Sequence, residues 1–299
     1  MFRTALVAMD LSPATEAMVS SLPGLREFGT EELTLVHVAK EVEYPVSRSL
    51  SEVEEYRGRL RKLAGRLEGE GNGGFKVDVE VPSGAPGASI IEVARERDPD
   101  FILVGSRSHS FIREAFVGSV AWEVVRRAKR PVLLHRIEPS RVEPESWLEA
   151  RSTGIPDRVI YPTDFSETAE RAVPYLEELA RLGASAFTLF HSASVDAEGG
   201  GEARDKARER LGAIADSLKE AAKGAGQKEP RIRVEVRAGV PSEEVMAFGG
   251  RSPENLVVMG SHGRSALSEM VAGSESRQVA RQASARVLLV PLASKPNQA

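Results

Sequence analysis

The most restrictive feature of this chain is that it repeats itself at about half its length. An opening apolar run, ALVAM, ends at Asp10, and 154 residues later VIYPT ends in the same way at Asp164. The next runs, LTLVHVA and FTLFHSA, place His37 and His191 at the same interval. VEVPSGAP returns as VEVRAGVP and FILVGSRS as LVVMGSHG, so Gly84 and Gly239, Gly105 and Gly260, and Gly118 and Gly273 are each 155 apart. The closing runs PVLLHR and RVLLVP keep that spacing, Leu133 against Leu288. Five apolar runs recur in order with almost no drift, so one domain has been duplicated.

Each run is four to six residues long, β-branched and nearly continuous in apolar character, as strands covered on both faces of a parallel sheet are. Helical segments separate them. Ser12-Pro13 and Ser166-Glu167 suit helix starts, and Gly29 and Gly183 suit the residue just past a helix end. Pro23 and Pro174 fall inside those segments and should kink or shorten them. Polar helices are expected around Glu52–Leu67 and Ala203–Lys223. Strand–helix alternation with short loops predicts an open, doubly wound α/β fold, twice over. The boundaries read as a first domain over 1–137, a proline-punctuated linker over 138–156, a second domain over 157–293 and a tail over 294–299.

The chain has 299 residues, 41% hydrophobic and 28% charged, which excludes a disordered or fibrous class. A formal net charge of -4 leaves no global basic field for nucleic acid or an anionic membrane. With no cysteine, disulfides, thiolate catalysis and cysteine-ligated metals are excluded. No apolar run approaches the ~20 residues of a membrane span, and the first is too short for a signal peptide, so a cytoplasmic location is the expectation.

In open parallel sheets ligands bind beyond the carboxyl ends of the strands, where strand order reverses. Asp164 ends the first strand of the second copy and Gly260 ends its fourth. Gly260 opens Gly-Ser-His-Gly, then nine residues intervene before Gly273 and Ser274. Glycines there let backbone N–H groups approach a phosphate, and Gly273-Ser274 opens a helix whose N-terminal dipole favours an anion. The pattern is neither a Walker A loop nor the Gly-x-Gly-x-x-Gly of a dinucleotide fold.

VIYPTDFSETAE, the LFHSA end of the second strand, and VVMGSHGRS followed by Gly-Ser at the fixed gap resemble the universal stress protein family. The resemblance covers both halves, as in tandem-type members, and the second half is similar to the ATP-binding subgroup. It implies a fold of the adenine nucleotide alpha-hydrolase type, five parallel strands per half in the order 3-2-1-4-5. It implies ATP, with Mg²⁺, as ligand. Carried over residue by residue, Pro162, Thr163 and Asp164 would lie against adenosine, Ser192 would line the base pocket, and Met259, Gly260 and Gly263 would frame ribose and phosphates. Gly273, Ser274 and Glu275 would close on the phosphates, although a carboxylate beside phosphates repels unless it points away or helps hold Mg²⁺. The first half keeps Asp10, Val38, Gly105, Gly118, Ser119 and Val120, but Ser108 replaces the second glycine and Ala8 the proline. If position 108 needs a left-handed backbone, serine costs about 1 kcal/mol there.

Plainer roles stand beside these. Asp10 and Asp164 could brace the turns that follow them, and His37 and His191 could pack or bond to backbone. His109, His262, Arg107, Arg113 and Arg264 read equally well as solvated loop residues. Five dispersed histidines show no paired ligand spacing, so no protein-built metal site is expected. No nucleophile–base pair stands out, so binding is better supported than turnover. The competing readings are an ATP-binding regulatory stress-response module with an unidentified protein partner, a slow ATPase or phosphotransferase, and a nucleotide-free interaction module. In the family the closing strands pair to build dimers, and the resemblance implies that the halves form such a dimer within one chain; a homodimer of whole chains is compatible with the sequence.

Overall fold

Val7, Leu35 and Leu103 lie side by side on three adjacent parallel strands of the first half, all fully buried. Runs with so little polar character must be covered on both faces, and that requirement organises each half of the chain. The computed structural model describes residues 1–39, 46–69, 74–106, 117–139, 148–150, 153–193, 200–261 and 273–292. The chain divides into two compact units, residues 2–154 and 155–299 with Met1.

The first unit runs β1 (Thr4–Ala8), α1 (Ala14–Ser21), β2 (Glu32–Val36), α2 (Val46–Gly69), β3 (Lys76–Glu80), α3 (Pro86–Arg97), β4 (Phe101–Gly105), α4 (Ser119–Arg127) and β5 (Val132–His135). Its sheet order is β3-β2-β1-β4-β5, every pairing parallel. Part of the stretch read as a linker carries structure: β6 (Ile137–Pro139) and β7 (Leu148–Ala150) form an antiparallel pair lying against α1. Just beyond, the buried Thr153 hydroxyl donates to the Ser21 carbonyl at 2.7 Å.

The second unit repeats the plan with β8 (Val159–Thr163), α5 (Glu167–Glu170), α6 (Val173–Arg181), β9 (Ala186–Ala193), α7 (Gly200–Gly224), β10 (Arg231–Ala238), α8 (Pro241–Val245), β11 (Leu256–Gly260), α9 (Ser274–Gln282) and β12 (Arg286–Val290). The sheet order is β10-β9-β8-β11-β12, again parallel. Both units therefore have the 3-2-1-4-5 order, with the reversal beside the first strand.

The third strands depart from the expectation of burial on both faces. β3 and β10 have no buried residue, and their first four residues alternate between exposed and half-buried. Each sits at a sheet edge with one face against a long helix, α2 or α7, which accounts for the partial exposure. The prolines act as expected for residues without an N–H. α1 stops at Ser21, and a 3₁₀ segment over Leu22–Phe28 takes Pro23 in its first turn; Pro174 opens α6. Gly29 and Gly183 follow with φ of 79° and 96°.

Candidate functional site

The carboxyl end of β8 is a bend tied from several sides. The Asp164 carboxylate accepts the Ser166 N–H at 2.9 Å, and Thr163 Oγ1 accepts the Phe165 N–H at 2.9 Å. Ser166 caps α5, its hydroxyl oxygen accepting the Ala169 N–H at 3.3 Å. Between them Phe165 has a φ of 58°, uncommon for a bulky residue. The first unit has the same bend: Asp10 accepts the Ser12 N–H at 3.0 Å, and Leu11 has a φ of 53°. Both aspartates thus brace the following turn.

His191 stands opposite Thr163 on β9, and its Nδ1 lies 2.8 Å from the Thr163 carbonyl; His37 does the same to Met9 at 2.9 Å. A carbonyl only accepts, so in both cases Nδ1 carries the proton. Burial holds the His37 imidazole below its ordinary pKa; the Met9 bond and Asp10 act against burial, and Arg59 acts with it.

A second bend lies at the end of β11. The buried Ser261 donates its N–H to Val290 at 2.9 Å. Its carbonyl accepts both the Gly273 N–H and the Ser276 hydroxyl at 2.9 Å. One carbonyl therefore closes the two ends of the 262–272 segment, and α9 starts at once with Gly273 as its cap residue. The N–H groups of the first turn of a nine-residue helix have no intrahelical acceptors, and the dipole there favours negative charge. In the first unit the Ser106 N–H bonds to His135 at 2.9 Å, Gly118 caps α4, and the buried Ser106 hydroxyl has no partner among the described residues.

The sheet brings most of the expected residues together. Pro162 and Thr163 end β8, Asp164 follows, Ser192 lies near the end of β9, and Met259 and Gly260 end β11. These three strands are neighbours, and Gly273 and Ser274 join β11 through the Ser261 carbonyl. Ser192 donates its hydroxyl to the Gly239 carbonyl, leaving its backbone at the strand end. Glu275 is turned elsewhere: its carboxylate accepts the Ser242 N–H at 3.0 Å, at the start of α8. The first unit places Asp10, Val38 and Gly105 at adjacent strand ends and Gly118, Ser119 and Val120 at the start of α4, with Val38 buried and Val120 exposed. Gly263, Ser108, His109, His262, Arg107, Arg113 and Arg264 lie outside the described residues.

Sequence reasoning missed several contributors. The Ser261 carbonyl and the Ser276 hydroxyl set the second bend, while Phe165 and Arg210 flank the first. Arg210 carried a usable signal, since it recurs 151 residues after Arg59, next to the buried Leu60 and Leu211. Among the described residues no group of three or more His, Asp or Glu side chains could hold a metal ion, and no helix is long and apolar enough to cross a membrane.

The sequence profile described as the universal stress protein family matches residues 1–136 and again residues 156–291. The chain belongs to the universal stress protein family. Relatives in the family include universal stress protein MJ0577 of Methanocaldococcus jannaschii, 28% identical over 155 residues, 44% of this chain and 93% of that protein. Universal stress protein YxiE of Bacillus subtilis is 28% identical over 148 residues, 46% of this chain and 100% of its own. A crystal structure of a universal stress protein from Archaeoglobus fulgidus DSM 4304 superposes with a TM-score of 0.70 at 23% identity, covering 96% of both chains. That likeness spans both universal stress protein units and concerns their fold.

Proposed function

We propose that the second unit binds an adenine nucleotide, ATP with Mg²⁺, and that this universal stress protein is a nucleotide-dependent regulatory module. The observation that carries the reading is the Ser261 carbonyl, which holds Gly273 and Ser276 together. It sets the start of α9 beside the carboxyl ends of β8 and β11, at the point where strand order reverses. The donor set suits a polyphosphate, with small residues at 260, 263 and 273 and first-turn N–H groups of α9 that lack intrahelical acceptors. Asp164 at the adjacent strand end suits a ribose hydroxyl. The Glu275 carboxylate is engaged with the Ser242 N–H at the start of α8, outside its own helix turn. When bound, the metal ion would neutralise phosphate charge.

Calorimetry with Mg-ATP and analysis of nucleotide released from denatured protein test the proposal. Saturable heat that is abolished in Gly263→Ala supports it. Absence of both heat and co-purified nucleotide overturns it. Turnover that scales with protein concentration and disappears in the same variant would instead make the site an ATPase.

A further inference from the structure

The bend that presents Asp164 carries a bulky residue in a left-handed conformation, and such a residue persists only where its surroundings over-determine it. The surroundings here are a stack. The Phe165 ring lies 4.7 Å from the His191 ring at 33°, and the Arg210 guanidinium lies 4.1 Å from the Phe165 centroid. His191 also holds the Thr163 carbonyl, so it grips the residue before Asp164 through Nδ1 and the residue after it through its face. Arg210 comes from α7 and forms an ion pair with Glu170 of α5. Strand, bend and two helices meet on the two residues that flank one carboxylate.

The first unit reaches the same arrangement with different residues. Leu11, at the equivalent bend, has no ring to offer, and Tyr56 of α2 supplies one, 4.5 Å from the His37 ring. Arg59 donates to the Leu11 carbonyl at 2.9 Å, from the α2 position that matches Arg210. The helices register at 151 residues, with Leu60, Ala64 and Leu67 buried like Leu211, Ala215 and Leu218. On that register Tyr56 corresponds to the buried Ala207. One unit pairs a bend phenylalanine with a helix alanine, and the other pairs a bend leucine with a helix tyrosine. The exchange keeps one aromatic ring against the histidine in both, as a volume-conserving replacement does.

We propose that His191, Phe165 and Arg210 are positioning residues, a clamp that holds the 163–165 bend so that the Asp164 carboxylate is fixed at the mouth of the nucleotide site. The inference rests on the nucleotide reading for its ligand, while the clamp itself is a property of the protein alone. It assigns no contact with nucleotide to Arg210; the guanidinium acts through the Phe165 ring.

The exchange between units supplies the test. In the full-length chain, Phe165→Leu, Ala207→Tyr and the double variant form a cycle with the wild type, read by Mg-ATP calorimetry and by amide hydrogen exchange over residues 163–170. Phe165→Leu should weaken Mg-ATP binding about tenfold and speed exchange at Ser166, and adding Ala207→Tyr should restore both to within about threefold. Rescue would show that the bend needs a ring against His191, whichever element supplies it. Should the double variant be poorly folded, Arg210→Met, at a half-buried position, removes the guanidinium while keeping much of the side-chain stem. It should weaken binding and speed exchange, with Arg210→Lys intermediate. A folded double variant no better than Phe165→Leu, or an Arg210→Met protein identical to wild type, overturns the clamp. If the wild type gives no heat with Mg-ATP and no nucleotide co-purifies with it, the nucleotide reading fails, and the exchange measurements then judge the clamp separately.

Discussion

At Gly260 the neighbouring helix leaves little room for a side chain. A β-carbon there would stand 3.0 Å from the Thr168 carbonyl carbon and 3.1 Å from the Ala169 nitrogen, both backbone atoms of α5. Gly260 thus has a packing reason for its identity, separate from any phosphate. Gly260→Ala should cost about 1–3 kcal/mol of stability in urea denaturation, the range for overpacking a tight site, whether or not nucleotide is present. No measurable loss would show that α5 yields easily. His37 permits a second residue-scale prediction. Its folded pKa is depressed from 6.5, chiefly by burial, so below that value the unfolded chain binds a proton that the folded chain refuses. The stability it contributes is complete above about pH 6.5 and is lost as pH falls through the lowered folded value. His37→Gln should therefore flatten the decline of unfolding free energy between neutral and mildly acidic pH. A steeper decline in the variant would reverse the assignment.

The elements show where the sequence could be read and where it could not. Strand order could be anticipated from the family resemblance, and strand positions from apolar runs, because burial on both faces leaves a strong compositional trace. The long helices were harder to delimit: α2 and α7 extend to Val46–Gly69 and Gly200–Gly224, beyond the expected 52–67 and 203–223. Their ends are polar and glycine-containing, and propensity undervalues such residues where a helix packs along a sheet edge. Gly58 in α2 and Gly212 in α7 make the point. Among the described residues, a β-carbon at either position would meet nothing within 4 Å, and neither has a positive φ. These glycines cost helix stability without a steric reason. Gly58→Ala and Gly212→Ala should each raise the unfolding free energy by about 0.5–1 kcal/mol, with a matching rise in Tm. Destabilisation by either would mean that its helix does not hold its conformation in solution.

For the molecule as a whole, duplication made the site legible by contrast: differences between the halves stand out against a common frame. Asp164, Gly260 and Gly273 could be placed because each ends a strand or opens a helix. The Phe165–His191–Arg210 stack could not, because nothing local in sequence joins a bend, a strand end and the middle of a helix 45 residues away. The same comparison leads to a stoichiometry. The first unit retains the braced Asp10 bend, Gly105 at a strand end and Gly118 capping a nine-residue helix. It has Ser108 where the second unit has Gly263, and Ala8 where the second has Pro162. Main-chain donors serve a phosphate best where no β-carbon intervenes, so the wild-type chain should bind one Mg-ATP. Ser108→Gly should then raise the calorimetric stoichiometry toward two, with the new site weaker than the first. If the variant still binds one, the obstacle is another difference, and Val120, exposed on the first turn of α4 where the second unit has Glu275, is the next substitution to make. If the wild type already binds two, the second glycine is dispensable, and the donors of α4 and α9 suffice without it.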